Sequence, residues 1–229
     1  MKRSIITASI CIVFGLGLLN LAGCGTLKDK ELELPEVLVK EAMHDFRHGN
    51  YYDALETFNK IKDHYPFSSH SLLAELKIAD CNYYLKKYEE ALPQYMEFEQ
   101  NHPTNEAIPY VLFQIGMSHF KMIDSIDRDT TGAKEAIQNF SRLLKSFPQS
   151  PYTEEAQVKI AKAKDFLARH ELYVAEFYGR TKQYRQAEGR LEYIIDNYPQ
   201  SSVAEKAKRM LVDVRKQVAG QEKKSQKAE

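Results

Sequence analysis

Four segments of the chain align without a gap: NYYDALETFNKIKDHYP, KYEEALPQYMEFEQNHP, GAKEAIQNFSRLLKSFP and QYRQAEGRLEYIIDNYP. Each carries an alanine twelve positions before a proline: Ala54 and Pro66, Ala91 and Pro103, Ala136 and Pro148, Ala187 and Pro199. Four positions after the alanine stands a large residue, Phe58, Tyr95, Phe140 or Leu191. On a helix that spacing puts the small and the large side chain on one face. The small residue admits a neighbouring helix and the large one fills the space beside it. The proline ends the helix, and Ser68, Thr104, Ser150 and Ser201 follow as candidate N-caps of the next. A second set of small residues, Ala42, Ala79, Gly116 and Ala161, lies upstream and marks a partner helix in each unit.

Ala42 to Ala79 and Ala54 to Ala91 are both 37 positions. This small–Ala–large–Pro pattern matches the tetratricopeptide repeat, whose usual period is about 34. The fold expected is all-α: a solenoid of helical hairpins, about nine helices in a right-handed superhelix with a concave face. Two intervals depart from the pattern. Gly116 to Ala136 spans 20 positions where Ala42 to Ala54 spans 12, so Ser125–Gly132 (SIDRDTTG) reads as a surface loop inside the third repeat. Ala161 to Ala187 spans 26, and the fourteen additional residues are close to four helical turns. A long helix in the fourth repeat is therefore expected, and residues 168–179 (ARHELYVAEFYG) fall inside it. Tyr173 and Phe177, at i and i+4, are expected in one packed stripe, with Tyr178 pointing elsewhere. A last amphipathic helix from about Ser202 to Val218 would close the array. The repeat domain is expected over residues 35–219, with 220–229 a disordered polar tail.

The start of the chain reads differently. Met1-Lys2-Arg3 and the apolar run from Ile5 make residues 1–23 a secretory signal. Leu21-Ala22-Gly23-Cys24 resembles the lipobox of bacterial lipoproteins, whose cysteine becomes the lipidated first residue. The other reading, an uncleaved span over Ile5–Ala22, sits at the lower length limit for a transmembrane helix. Cys24 is thus the expected lipidation site, 24–34 a flexible linker, and the membrane a partner through the lipid. Gly25 stands where an aspartate would mark inner-membrane retention, so the outer membrane is expected. Only Cys81 remains as a thiol, which excludes an internal disulfide; its apolar surroundings make it a core residue.

Little else carries chemistry. The 32 Lys and Arg balance 32 Asp and Glu, so nucleic acid is not an expected partner. His44 and His48 have metal-ligand spacing but no third ligand. No nucleotide loop or triad spacing is present, so neither enzyme activity nor a cofactor is expected. The adjacent pairs Tyr51-Tyr52 and Tyr83-Tyr84 point in different directions on a helix. One of each is expected in the core, and the other is a candidate anchor for peptides in the groove.

The segments DRDTTGAKEA, HYPFSS and ARHELYVAEFY, in their places between the repeats, resemble the BamD family, lipoproteins of the outer-membrane β-barrel assembly machinery. The resemblance covers nearly the whole mature chain. It implies a non-enzymatic subunit on the periplasmic face of the outer membrane. Such a subunit contacts the periplasmic domains of the barrel protein BamA and helps recruit unfolded outer-membrane proteins by their C-terminal signal. Carried over residue by residue, it implies Tyr65 as a substrate contact, and Tyr178 and Arg190 as contacts to the partner or signal. The chain departs from longer family members in its short third-repeat loop and in a polar tail where they have a last helix. A partner bound through that helix, such as the accessory lipoprotein BamC, is left open. A pilot lipoprotein of a secretion or pilus system shares the lipobox and groove without needing the Ala168–Tyr178 stretch. An enzyme using the repeats as a platform finds no catalytic constellation here.

Overall fold

Alanine, a large residue and a proline at fixed spacing do produce a serial helical array. The computed structural model describes residues 34–226 and holds nine helices among them. They are α1 (Pro35–His48), α2 (Tyr51–His64), α3 (Ser71–Tyr84), α4 (Tyr88–Asn101), α5 (Ile108–Lys121), α6 (Thr131–Ser146), α7 (Thr153–Arg180), α8 (Tyr184–Asn197) and α9 (Ala204–Gln226). Each packs mainly on its neighbours in the chain, the signature of a solenoid. The fold is an all-α tetratricopeptide-repeat array. No helix among the described residues is long and apolar enough to cross a membrane. The signal (1–23), Cys24 and most of the linker lie outside the described residues.

The repeat alanines Ala54, Ala91, Ala136 and Ala187 are fully buried, as are Phe58, Tyr95, Phe140 and Leu191. Cys81 is a buried core thiol, pushed up to about 12 chiefly by burial. Between repeats the chain makes one turn four times. The residue before each proline, Tyr65, His102, Phe147 or Tyr198, accepts a backbone hydrogen bond from the residue three on, at 3.0 Å in every case. That second residue, Ser68, Asn105, Ser150 or Ser201, accepts another from the residue three further on. The serines expected as N-caps therefore belong to this turn. Ser68 and Ser150 Oγ accept from the amides of His70 and Tyr152, but His70 and Tyr152 themselves precede α3 and α7 without a side-chain cap bond. In the second repeat Asn105, not Thr104, takes the role.

Within repeats 1, 2 and 4 the two helices are joined by a common reversal. Gly49, Lys86 and Lys182 hold positive φ (81°, 62° and 59°), and Asn50, Lys87 and Gln183 donate backbone bonds to Asp45, Asn82 and Tyr178 at 2.9 Å. This register corrects one alignment. The partner of Ala187 is Ala175, buried and twelve positions upstream, whereas Ala161 is exposed because α8 does not reach it. The 28-residue α7 is thus a standard 14-residue helix preceded by fourteen more.

The third-repeat segment, residues 122–130, is a loop, but Ile123 and Ile126 turn inward against Ala163, Phe166 and Leu167 of α7. At the other end α9 continues to Gln226, beyond the expected stop near Val218 and into residues 220–229, expected as a disordered tail. The sequence beyond Gly220 has no apolar residue except Ala228 but is rich in helix formers. Glu222 pairs with Arg185, and Gln221 Nε2 donates to the Lys182 carbonyl at 3.3 Å. Both contacts are exposed. Ending the chain after Ala219 is expected to lower stability by under about 1 kcal/mol, read as the urea midpoint. A loss of several kcal/mol would show that the last turns support the array.

Candidate functional site

The second half of α7 buries Ala168, Leu172 and Ala175 against α8 and α9. This corrects the expected stripe. Tyr173 and Phe177 share a face, but it is the exposed one, 42% and 49% accessible. Tyr178 is half-buried and packs against the α8–α9 cluster, with its ring edge-on to Phe177 at 5.8 Å. The i,i+4 rule identifies shared faces; which face is covered depends on the neighbouring helix.

Tyr178 and Arg190 come together. They line one cleft of about 450 Å³ with Glu171, Arg185, Gln186, Gly189 and Tyr193. Arg190 Nη1 donates to Glu171 Oε2 at 2.8 Å, bridging α8 to α7. Glu171 is 16% exposed and Arg190 46% exposed. The carboxylate is therefore held inside the cleft while the guanidinium reaches its mouth. Its other N–H groups have no partner among the described residues. A half-desolvated guanidinium with one edge fixed and donors to spare is suited to a carboxylate from outside. Two of the lining residues, Tyr178 and Tyr193, are aromatic, and Tyr193 leads to Tyr198 outside the cleft. Tyr193 and Tyr198 rings meet at 5.8 Å, and burial, with the Tyr193 hydrogen bond and the Glu171 charge, pushes the Tyr198 hydroxyl up to about 12. Tyr198 is therefore a neutral hydrogen-bonding group under ordinary conditions.

Tyr65 lies at the other end of the array, between α2 and α3. It is one of the four aromatic or histidine rings before the repeat prolines, all half-buried, and it packs on the first-repeat cluster. Its geometry is that of a repeat position. The ring this turn presents to solvent is Phe67, fully exposed. At the equivalent positions stand Thr104, Gln149 and Gln200. An apolar residue where three copies are polar is legible in the sequence and makes Phe67 a further candidate in HYPFSS beside Tyr65.

The tyrosine pairs divide as expected in the first two repeats. Tyr51 is half-buried and Tyr52 is 64% exposed; Tyr83 is half-buried and Tyr84 is 45% exposed. Tyr84 stacks on Tyr51 at 4.9 Å and meets Phe46 edge-on at 5.6 Å. His48 Nδ1 lies 2.7 Å from the His44 carbonyl oxygen, a contact that occupies one ring nitrogen.

The profile of the family described as "YfiO: Outer membrane lipoprotein" matches residues 33–229. Relatives named "Outer membrane protein assembly factor BamD" include that of Vibrio cholerae, 29% identical over 203 residues, covering 84% of each chain. That of Neisseria meningitidis serogroup A is 28% identical over 222 residues, 90% of this chain and 81% of the relative. That of Pasteurella multocida is 27% identical over 197 residues, 82% and 76%. Among solved structures, a tetratricopeptide repeat protein from Parabacteroides merdae superposes with a TM-score of 0.43 at 14% identity, over 81% of this chain and 75% of that one. A repeat array with an aromatic and arginine-lined cleft, matched by one profile over all of its helices, belongs to the YfiO family of outer membrane lipoproteins.

Proposed function

We propose that the chain is a lipid-anchored subunit of the outer-membrane β-barrel assembly machinery. It would scaffold the periplasmic domains of a BamA-like barrel protein and help recruit unfolded outer-membrane proteins, without itself catalysing a reaction. Cys24 would carry the lipid that holds the array on the periplasmic face of the outer membrane. The names of the relatives support the assembly role. The observation that carries the docking role is the cleft in which Tyr178, Glu171 and Arg190 converge.

In this reading Arg190 offers its free N–H groups to a partner carboxylate, and Tyr178 supplies aromatic contact area beside it. Glu171 orients the guanidinium. The N-terminal turn, with Phe67 exposed and Tyr65 packed behind it, is the proposed substrate-facing end.

The test is co-purification from cells with Arg190→Ala, alongside depletion of the chain. Loss of a charge-assisted hydrogen bond removes about 1.5–3 kcal/mol, so recovery of the barrel protein should fall by about tenfold or more. Depletion should lower several outer-membrane barrels together. Normal barrel levels after depletion, or a secretin in place of a BamA-like protein in the purified complex, would overturn the reading.

A further inference from the structure

The long helix α7 has a second exposed face, on the side away from Glu171. Its first half is covered there by Phe120, Ile123, Ile126 and Ile137. The cover ends at His170, whose Nδ1 meets the Ile126 carbonyl. Beyond it the cover from the third-repeat loop is gone, and Tyr173 and Phe177 stand open. Before it lies a cavity of about 570 Å³ with Phe120, Ile123 and Phe166 as apolar lining and Lys162, Asp165 and Arg169 as charged lining.

Lys162, Arg169, Tyr173 and Arg180 fall at i, i+7, i+11 and i+18, one face of a helix over about 27 Å. The acidic residues beside them are already engaged. Asp165 pairs with Arg169 at 3.2 Å and accepts from the Ser202 amide at 2.7 Å; Glu176 pairs with Lys206 at 2.6 Å. Lys162 and Arg180 have no ion-pair partner among the described residues. The face is therefore aromatic with uncompensated positive charge at both ends, and it leads into a hollow with one apolar wall, of Phe120, Ile123 and Phe166, and one charged wall.

We propose that this face is a second docking surface, for an acidic segment of a partner protein. The segment's apolar side chains fill the hollow and cover Tyr173 and Phe177, and its carboxylates pair with Lys162 and Arg180. A second copy of the chain fits poorly, because a twofold contact sets the cationic stripe against itself. A bilayer is flat and leaves the hollow unfilled. The Lys162–Tyr173–Arg180 stripe lies across α7 from Glu171 and the Arg190 cleft, since residues two apart on a helix, such as Glu171 and Tyr173, point away from each other; the two surfaces adjoin where the Phe177 ring stands edge-on to Tyr178.

The test uses the full-length chain in detergent and a labelled short peptide in which glutamate alternates with leucine, followed by fluorescence anisotropy. Binding is expected, weakening as salt is raised. Lys162→Glu with Arg180→Glu, and separately Tyr173→Ser with Phe177→Ser, should each weaken it by about tenfold or more. All four residues are solvent-facing, so unchanged urea midpoints will show that the fold is intact. Arg190→Ala should leave peptide binding unchanged, which separates this surface from the proposed barrel-protein contact. Equal binding of the matching lysine–leucine peptide would overturn the proposal, as would binding indifferent to both double variants. So would variant-sensitive binding to phosphatidylglycerol vesicles without peptide binding, which would make the face a lipid contact.

Discussion

Asp80→Ala is expected to destabilise the array by about 3–5 kcal/mol, because it leaves buried groups without their charge partner. Asp80, on α3, is fully buried. It accepts from the Tyr95 hydroxyl of α4 at 2.6 Å, from the Tyr110 hydroxyl of α5 at 2.7 Å, and from the Lys77 ammonium at 2.7 Å. Lys77 also sits 4.5 Å over the Phe46 ring of α1, and Gln114 donates to the Tyr110 oxygen at 2.8 Å. One carboxylate thus ties the first three repeats together. Asp80→Asn keeps an acceptor and should fall between the parent and Asp80→Ala. Tyr95→Phe removes one bond to a charged group, worth about 1.5–3 kcal/mol. Urea unfolding with unchanged slope reads all three, and an Asp80→Ala midpoint near the parent's would refute the account.

The same network sets an alkaline limit. Burial and the charge of Asp80 push the Tyr95 and Tyr110 hydroxyls well above the ordinary tyrosine range. An acid whose folded pKa is raised stabilises the fold fully below its unfolded pKa, about 10 for tyrosine, and loses that contribution as pH rises above it. Stability should therefore fall above about pH 10, and these two rings should ionise only as the chain unfolds, which tyrosine absorbance follows directly.

The array itself was legible because its signal is local. Ala91, Tyr95 and Pro103 lie within one helix and its end, and the same spacing recurs four times. What needs two distant segments was not legible. In KIADCNYY, Asp80 reads as one acid in an apolar helix with Lys77 three positions before it; its two tyrosine partners are 15 and 30 positions away and announce nothing. Tyr173 and Phe177 share a face, as their spacing requires, but the cover of that face stops at Ile126, a loop residue whose reach no periodicity encodes. The cleft was half legible. The family resemblance supplied Tyr178 and Arg190, while Glu171, which fixes the guanidinium, required the α7–α8 packing. At the end of α9 no apolar stripe announces a helix, yet propensity and a few exposed contacts sustain it to Gln226. Phe67 stands out in the sequence itself, because Thr104, Gln149 and Gln200 follow the other three repeat prolines.

Phe140→Ala should likewise remove about 3–5 kcal/mol, and Gly116 allows the cause to be checked. The Phe140 ring, fully buried on α6, lies where a side chain at Gly116 of α5 would be. A Cβ added at Gly116 would stand 2.6 Å from Phe140 Cδ1 and Cε1. In the parent, Gly116→Ala therefore forces the α5–α6 pair apart at about 1–3 kcal/mol. That strain outweighs or cancels the gain of up to about 1 kcal/mol from removing a mid-helix glycine. With Phe140→Ala the ring is gone. The methyl then enters vacated space, and both its burial, about 0.8 kcal/mol, and the helix gain favour it. Gly116→Ala should thus destabilise the parent and stabilise the Phe140→Ala chain, a reversal of sign that independent sites cannot give. Urea midpoints of the four chains measure it. Equal effects of Gly116→Ala in both backgrounds would mean that helix backbone, and not the Phe140 ring, sets how closely α5 and α6 approach.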